Sequence, residues 1–248
     1  MHIEATLAQL RSLRLTKMAE SFEERLNRGD HNNIPCEDFF AVLVEDEYCF
    51  RQSKKQERLI GKADFKPEGA CLENVIYSPS RGFQKKEMLQ FTTELWVKQA
   101  HNVVICGPTG TGKTFIAEAI GLQSCKMGYS TKKIRYKKLF EEINAARGTG
   151  QYLRHLEKLQ KTKVLIIDDY LMSDISVDEA THLFEIIEER TQIGPLIVTT
   201  QYPIGEWHKR LPDPTIADAI CDRLAHTAIQ INLKGESMRK TNAKSHSK

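Results

Sequence analysis

The stretch of sequence that decides the fold reads Val103-Val104-Ile105-Cys106-Gly107-Pro108-Thr109-Gly110-Thr111-Gly112-Lys113-Thr114-Phe115-Ile116-Ala117. It has the spacing G-x-x-x-x-G-K-[ST], placed between an apolar run typical of a buried strand and the start of a helix. Glycines lack a Cβ, so backbone N–H groups can close around phosphate oxygens, and the positive end of the helix dipole adds to the same site. A glycine-rich turn without a ligand is the alternative, but the complete spacing in this context favours a phosphate-binding loop.

The residues of this loop have expected roles toward a nucleoside triphosphate. Lys113 is expected to reach the β- and γ-phosphates, and the Thr114 hydroxyl is expected to ligate Mg²⁺. The residues expected to surround the nucleotide are Gly107, Pro108, Thr109, Gly110, Thr111, Gly112, Lys113, Thr114 and Phe115. The loop therefore predicts a site for a nucleoside triphosphate with Mg²⁺.

A second apolar run, Val164-Leu165-Ile166-Ile167, ends in the acids Asp168 and Asp169. A strand buried on both faces of a parallel sheet needs such a run, and ligands of these sheets bind at the carboxyl ends of the strands. Asp168 is therefore expected to hold Mg²⁺ through water, and Asp169 to act on the attacking water. Acids that merely end a strand are the alternative. The upstream loop favours the catalytic interpretation, because two parts of one mechanism follow each other in order.

Two further segments carry candidate groups for the γ-phosphate. The apolar run 196–201 ends in Thr200 and Gln201, whose side chains could hydrogen-bond the γ-phosphate or the attacking water, although simple strand termination competes. Arg223, on a predicted helix, could neutralise transition-state charge, often in a neighbouring subunit. An arginine in such a position more often forms a surface ion pair, here with Asp218 or Asp222.

The composition bounds the class of protein. The 248 residues suffice for one mid-sized domain and a smaller one, and 40% hydrophobic with 28% charged residues is typical of soluble globular proteins. The N-terminus has no signal-like apolar core, and no run approaches the length of a membrane span. Six scattered cysteines without a C-x-x-C pair indicate neither a disulfide framework nor a zinc site. We therefore expect a cytoplasmic protein without a membrane partner.

The first part of the chain, residues 1–68, is predicted to be a small all-α domain. Apolar residues recur there at helical spacing, with a break or cap at Thr16 that allows two short helices or one long one. Pro35 then suits the start of a further helix that runs to Lys62. The periodicity is lost at Pro67, Gly69, Pro79 and Gly82. This loss marks the domain boundary.

The second part, residues 69–233, is predicted to be an α/β domain. A helix over 84–100 is followed by strands and helices in alternation, which predicts a parallel sheet with helices on both faces. The basic tail 234–248 is polar and has no apolar periodicity, so it is predicted to be largely disordered.

Cations on one face of the helix before residue 62 are candidates for contacts with nucleic acid. They are Arg51, Lys54, Lys55, Arg58 and Lys62. Phosphate binding needs a row of cations with few acids between them. A solvated helix face is the common alternative, and spacing alone does not distinguish it from a DNA-binding face. Further candidate cations in the α/β domain are Lys132, Lys133, Lys137 and Lys138. On this hypothesis the partner is duplex DNA.

Several motifs together resemble one known family. They are LRLTKMA at 13–19, LVEDE at 43–47, GPTGTGKT at 107–114, IIDD at 166–169, TTQ…W at 199–207, ADAICDRL at 217–224 and KGESMR at 234–239. Over nearly its whole length the chain resembles the IstB-type transposition helper ATPases, in the AAA+ group that also contains the DnaC-type helicase loaders. The resemblance implies a P-loop AAA+ sheet preceded by a small all-α domain.

The resemblance also implies an activity. Such a protein would hydrolyse ATP with Mg²⁺ at the interfaces of a homo-oligomer, coat or bend duplex DNA, and recruit the transposase of the same mobile element. Thr200 or Gln201 would be sensor 1, Arg223 the arginine finger in trans, and Arg239 a sensor-like residue near the nucleotide. Asp169 stands where many AAA+ proteins have Glu, and its shorter side chain implies slow hydrolysis or hydrolysis completed by a partner.

Two other functions use the same sequence features. A replicative helicase loader has the same core but grips a helicase with its N-terminal segment. A nucleotide-gated scaffold would signal through its binding state with little turnover. A small-molecule kinase also has a P-loop, but the sequence contains no lid or acceptor-site pattern for one.

Overall fold

The computed structural model describes residues 2–66, 69–225 and 228–238. The chain divides into two compact units, one that ends at Arg58 and one that begins at Leu59. This division comes earlier than the predicted boundary at residue 68. The reason is that residues 59–66 pack on the second unit: the Lys133 N–H donates to the Ala63 carbonyl at 2.8 Å, and Phe65 packs against Gly121.

The first unit is helical, as predicted. It contains α1 (His2–Ser12), α2 (Thr16–Arg28) and most of α3 (Cys36–Lys62). Two helices form before α3 because the chain turns at Arg14, which has a φ of 60°. Gly29 ends α2 with a φ of 77°, a left-handed conformation that costs glycine little.

The second unit is built on a five-stranded parallel sheet. Its elements, in chain order, are α4 (Lys85–Leu89), α5 (Leu95–Lys98), β1 (Val103–Cys106), α6 (Lys113–Lys126), β2 (Thr131–Arg135), α7 (Tyr136–Gly148), α8 (Tyr152–Gln160), β3 (Val164–Tyr170), α9 (Val177–Arg190), β4 (Leu196–Thr200), α10 (Pro214–Ala225) and β5 (Ile229–Asn232). The strand order is β2-β3-β4-β1-β5, and every neighbouring pair is parallel. The order places β4 between the strand that leads into the glycine-rich loop and the strand that ends in the two acids.

Both faces of the sheet are covered by apolar layers. Residues that alternate along a strand point to opposite faces, so Val104 joins a cluster with Leu139, Leu183 and other residues of α7–α10. Val103 and Ile105 join a second cluster with residues of α4–α6, including Trp96 and Ile120. The predicted parallel sheet with helices on both faces is thereby confirmed.

The prediction of a single helix over 84–100 is wrong. The segment forms α4, a 3₁₀ turn over Gln90–Thr92, and α5. The hydroxyls of Thr92 and Thr93 bond the carbonyls of Leu89 and Gln90 at 2.7 and 3.2 Å, which competes with regular helix bonding. The break also allows Phe91 and Trp96 to be buried together, with ring centroids 5.3 Å apart.

Within the residues that the structure describes, none of the helices combines the length and the apolar character that a bilayer crossing requires.

Candidate nucleotide-binding site

The glycine-rich loop lies at the carboxyl end of β1, and α6 begins at Lys113. Gly110 and Gly112 have φ values of 83° and 89°, a backbone that residues with a Cβ rarely adopt. A Cβ on Gly110 would stand only 2.1 Å from the Ser237 Oγ, and one on Gly112 would stand 3.1 Å from a guanidinium nitrogen of Arg81. The first N–H groups of α6 have no partner within the helix, so they are available to an anion at the loop.

Lys113 is folded back over the loop. Its Nζ donates to the carbonyls of Gly107 and Pro108 at 2.8 and 2.9 Å, and its side chain is buried. The ammonium is thus held at the glycine-rich loop, at the start of α6.

Thr114 and Asp168 meet, although they are far apart in sequence. The Thr114 hydroxyl donates to Asp168 Oδ1 at 2.9 Å, and the Asp168 side chain is buried. A hydroxyl and a carboxylate are hard oxygen donors of the kind that Mg²⁺ prefers. These two residues are therefore suited to hold a Mg²⁺ ion.

Thr199 joins both acids of β3, a role that the sequence analysis did not assign. Its hydroxyl donates to Asp168 Oδ1 at 2.6 Å and accepts the Asp169 N–H at 3.0 Å. The contact arises because β4 pairs with β3 in the sheet. Only the identity of Thr199 as a hydroxyl residue near the end of an apolar run could have indicated it.

Asp169 is turned away from Asp168. The pairing of β3 with β4 shifts register between Ile167 and Tyr170, and Asp169 has a φ of 60°, which is strained for a residue with a side chain. As a result Asp169 is exposed and lines a cavity of about 260 Å³. The other residues of this cavity are Lys66, Ala70, Thr109, Gly110, Gly112, Lys113, Thr114, Phe115, Glu118, Gln201 and Met238.

Thr200 and Gln201 occupy different environments. Thr200 is fully buried; its hydroxyl accepts the Tyr202 N–H at 3.1 Å, and its carbonyl accepts the Gly107 N–H at 3.1 Å. Gln201 lines the cavity. Of the two candidates for sensor 1, Gln201 is therefore the one whose side chain is available to a nucleotide.

A more apolar cavity of about 320 Å³ adjoins the first one. It is lined by Asn74, Ile76, Arg81, Gly112, Phe115 and Met238. Arg81 is buried, and its guanidinium donates to the carbonyls of Ile76 and Thr111 at 2.5 and 2.6 Å. Burial lowers the pKa of Arg81 from its ordinary value. The sequence contained no signal for Arg81, which lies in the segment where periodicity is lost.

The chain after β5 passes over the glycine-rich loop. The Met238 N–H donates to the Gly110 carbonyl at 2.9 Å, and the Lys234 N–H donates to the Arg81 carbonyl at 2.8 Å. Met238 thus lines both cavities. Arg239, the expected sensor-like residue, and most of the predicted disordered tail lie outside the described residues.

Arg223 does not line the cavity of its own chain. It lies on α10, pairs through Nε with Glu188, and places its guanidinium 5.0 Å from the centre of the Phe184 ring. Its ion-pair partner is therefore an acid of α9 and neither Asp218 nor Asp222.

The predicted DNA-contacting cations differ in their availability. Lys133 is buried, and its ammonium pairs with the buried Glu118. It cannot reach an external phosphate, so its prediction as a DNA contact is wrong. Lys132 pairs with Asp64. Arg51 holds Glu47 and the Arg14 carbonyl, each at 2.7 Å. Arg51 is exposed all the same, and the other exposed cations of the set are Lys54, Lys55, Arg58, Lys62, Lys137 and Lys138.

Comparison with known proteins places these features in a family. The model of the IstB-like ATP-binding proteins matches residues 8–247. The y4pL insertion-sequence ATP-binding protein of Sinorhizobium fredii is 33% identical over 95% of this chain and 96% of the relative. The IS1162 insertion-sequence ATP-binding protein of Pseudomonas fluorescens is 34% identical over 86% of this chain and 95% of the relative.

Solved structures show the same fold at low identity. DnaI is 20% identical, with a TM-score of 0.59 over 70% of this chain and 96% of that one. The replication initiator DnaA bound to AMPPCP and single-stranded DNA is 17% identical, with a TM-score of 0.59 over 74% of this chain and 57% of that one. The fold is the P-loop AAA+ fold. With the family model matched across both units, the chain belongs to the family of IstB-like ATP-binding proteins.

Proposed function

We propose that this protein is an ATP-hydrolysing, DNA-binding helper of transposition. It assembles on duplex DNA as a homo-oligomer and recruits or activates the transposase of the same mobile element for target-site selection. The observation that carries the proposal is that Lys113, Thr114 and Asp169 line one cavity and that the buried Asp168 accepts a hydrogen bond from Thr114. The relatives of the chain are named insertion-sequence ATP-binding proteins.

The glycine-rich loop and the first turn of α6 would bind the triphosphate of ATP. Lys113 would exchange the carbonyls of Gly107 and Pro108 for the β- and γ-phosphates, a short movement for a flexible side chain. Thr114 and Asp168 would hold Mg²⁺, which when bound neutralises phosphate charge. The adjoining apolar cavity beside Phe115 suits the base, because base sites are concave and mostly apolar.

Hydrolysis would use groups at the carboxyl ends of β3 and β4. Asp169 accepts a hydrogen bond from the attacking water, and Gln201 orients that water or the γ-phosphate. Thr199 keeps both acids in place from the neighbouring strand. Arg223 would complete the site of an adjacent subunit, since it lies away from its own cavity.

The length of chain over which each similarity extends favours transposition over helicase loading. The family model runs from residue 8 to residue 247 and so includes the N-terminal helices, whereas the DnaI structure matches 70% of the chain. Binding assays of this chain against its mobile element's transposase and against a replicative helicase separate the two functions: capture of the helicase alone would contradict the proposal.

Two single substitutions test the ATPase. Lys113→Ala removes the phosphate-binding cation, so ATP affinity should fall about 10- to 100-fold, as expected for a charged hydrogen bond. Asp169→Asn keeps the size of the side chain but removes its basicity, so ATP binding should persist while turnover falls about 100-fold. Fluorescent-nucleotide titration measures the first effect and phosphate release the second.

Asp174→Asn is the matched control, because Asp174 is exposed in the loop that follows β3. It should leave both measurements unchanged. Turnover retained by Asp169→Asn would remove Asp169 from the catalytic role. A wild-type protein that binds ATP but shows little turnover with or without DNA would indicate the scaffold instead.

A further inference from the structure

A buried arginine lies beside the glycine-rich loop without a carboxylate to balance its charge. Arg81 ends a 3₁₀ turn over Pro79–Arg81 and is only 9% exposed. It forms no ion pair with any residue that the structure describes, and burial alone lowers its pKa. A guanidinium stays charged at neutral pH, and a buried charge without a counter-ion is costly. An anion bound at the loop would reduce that cost.

Arg190 shows how the same protein buries an arginine away from the nucleotide site. Its guanidinium donates to four described backbone carbonyls, those of Leu159, Thr162, Lys163 and Pro195. Arg190 lines neither the nucleotide cavity nor the adjoining apolar cavity. Arg81 donates to two described carbonyls, those of Ile76 and Thr111, and it lines the apolar cavity. Arg81 therefore has fewer acceptors than Arg190 and a place at the nucleotide site.

The hydrogen bond from Arg81 to Thr111 sets the direction of one peptide of the loop. The C=O and N–H of a trans peptide point in opposite directions, so a Thr111 carbonyl held toward Arg81 turns the Gly112 N–H away from it. That N–H donates to none of the described residues. Backbone N–H groups of such loops bind the phosphates of a nucleotide, so the Gly112 N–H is available to one of them.

Several contacts hold Arg81 in place. A second N–H of its guanidinium bonds the Ile76 carbonyl at 2.5 Å, and its Cζ lies 5.2 Å from the centre of the Phe83 ring. The Arg81 carbonyl accepts the Lys234 N–H at 2.8 Å. A charged donor polarises the amide that it bonds, which makes the N–H of that amide a stronger donor. Arg81 can therefore both fix and polarise the peptide between Thr111 and Gly112.

We propose that Arg81 is a positioning residue of the nucleotide site. It turns and polarises the peptide between Thr111 and Gly112 so that the Gly112 N–H donates to a phosphate of ATP. The phosphates of the bound nucleotide in turn balance the charge of the buried guanidinium. The inference rests on the proposed binding of ATP and adds to that site a residue outside the loop 107–114.

Two substitutions at Arg81 separate its charge from its hydrogen bonds. Arg81→Gln removes the charge and retains an amide donor, so the affinity of the full-length protein for ATP with Mg²⁺ should fall about five- to twenty-fold, a factor between those of a neutral and a charged hydrogen bond. The affinity for ADP should fall by the same factor, because such loops bind the α- and β-phosphates that both nucleotides have. Arg81→Lys retains the charge and should stay within about three-fold of the wild type. Competition titrations against a fluorescent nucleotide measure these affinities.

Arg190→Gln is the matched control, because Arg190 is also buried and bonded to carbonyls but lines neither cavity. It should lower the melting temperature and leave the affinity for ATP unchanged. Arg210→Gln takes its place if Arg190→Gln does not fold, since Arg210 stacks on the Tyr202 ring and also lines neither cavity. Lys113→Ala is the positive control for the loss of phosphate binding.

An Arg81→Gln protein that binds ATP as tightly as the wild type would overturn the inference. A changed preference for ATP over GTP in this variant would also overturn it, because a residue that acts on the phosphate loop should weaken both nucleotides equally. An equal loss of affinity in Arg81→Lys would overturn the role of the charge. If Lys113→Ala loses affinity in the same assay, these results leave ATP binding in place, whereas a wild-type protein that does not bind ATP would contradict the proposed function.

Discussion

At the scale of single residues, Thr199 determines how the two acids of β3 are presented. Its hydroxyl holds the Asp168 carboxylate and the Asp169 backbone at the same time, at 2.6 and 3.0 Å. Asp168 is thereby kept buried beside Thr114, while the register shift turns the Asp169 side chain outward. One hydroxyl on the neighbouring strand thus separates the carboxylate that we propose to hold Mg²⁺ from the carboxylate that we propose to act on water.

The substitution Thr199→Val tests this role with little change in volume. Loss of one buried hydrogen-bonding hydroxyl is worth about 1–1.5 kcal/mol, so turnover should fall roughly ten-fold while the affinity for ATP changes less. Steady-state kinetics and nucleotide titration measure the two effects.

Thr181→Val is the control for this variant, because the Thr181 hydroxyl bonds only the Val177 carbonyl of its own helix among the described contacts. Its kinetics should equal those of the wild type. A Thr199→Val protein with wild-type turnover would show that the acids do not need this support.

At the scale of elements, α3 combines structural and exposed cations on one helix. Arg51 connects Glu47 with the Arg14 carbonyl, so its charge is engaged within the first unit. Burial raises the pKa of Glu47, but hydrogen bonds from Arg51 and from the Met18 N–H outweigh it and lower the pKa below its ordinary value, which keeps this pair ionised. Charge reversal at Arg51 would place two acids together and destabilise the unit, so a test of DNA binding must leave Arg51 in place.

The triple variant Lys54→Gln/Lys55→Gln/Arg58→Gln removes exposed cations of α3 and retains Arg51. If these residues contact DNA phosphates, affinity should fall at all sequences, and the slope of log K against log salt should decrease by about one per lost contact. Fluorescence anisotropy with duplex DNA at several salt concentrations measures both quantities.

The control for the α3 variant is Lys85→Gln/Lys86→Gln/Lys158→Gln, which removes the same charge from exposed positions outside α3. It should bind DNA as the wild type does. Unchanged salt dependence in the α3 variant would indicate that the basic face of α3 is an ordinary solvated surface.

In the whole molecule, none of the described residues that line the nucleotide cavity is an arginine of α10. Arg223 instead contacts Glu188 and the ring of Phe184. A head-to-tail assembly brings a surface of one subunit to a different surface of the next, so it can supply Arg223 to an adjacent cavity. The proposed ATPase activity therefore depends on the proposed oligomer.

Mixing two inactive variants tests that hypothesis. Arg223→Ala retains a complete cavity and Lys113→Ala retains the arginine, so each protein alone should show little turnover. In an equimolar mixture about one interface in four should combine an intact cavity with an intact Arg223, and activity should recover to about a quarter of the wild-type rate. The rate of phosphate release from the mixture measures this recovery.

Native mass spectrometry provides the control for mixing, because it reports whether the two variants assemble together. Co-assembly without recovered turnover would exclude an arginine finger in trans. Full activity of Arg223→Ala alone would exclude Arg223 from catalysis altogether.

Much of the site could be predicted because its parts are local in sequence. The loop 107–114 has its own spacing, and the two acids end an apolar run that can be read from neighbouring residues. Lys133 was misassigned because alternation along β2 turns it inward to Glu118, which charge alone does not reveal. The helix over 84–100 was overextended because the burial of Phe91 and Trp96 overrode helical spacing.

Local sequence was enough to identify the glycine-rich loop, the acids at the end of β3, the alternation that makes a parallel sheet, and the family. Each of these depends on residues that are neighbours in the chain. The contact of Thr199 with both acids, and the place of Gln201 rather than Thr200 at the cavity, became visible only in the folded chain. Strand pairing and register bring these groups together, and neither can be derived from the spacing of residues that are neighbours in the chain.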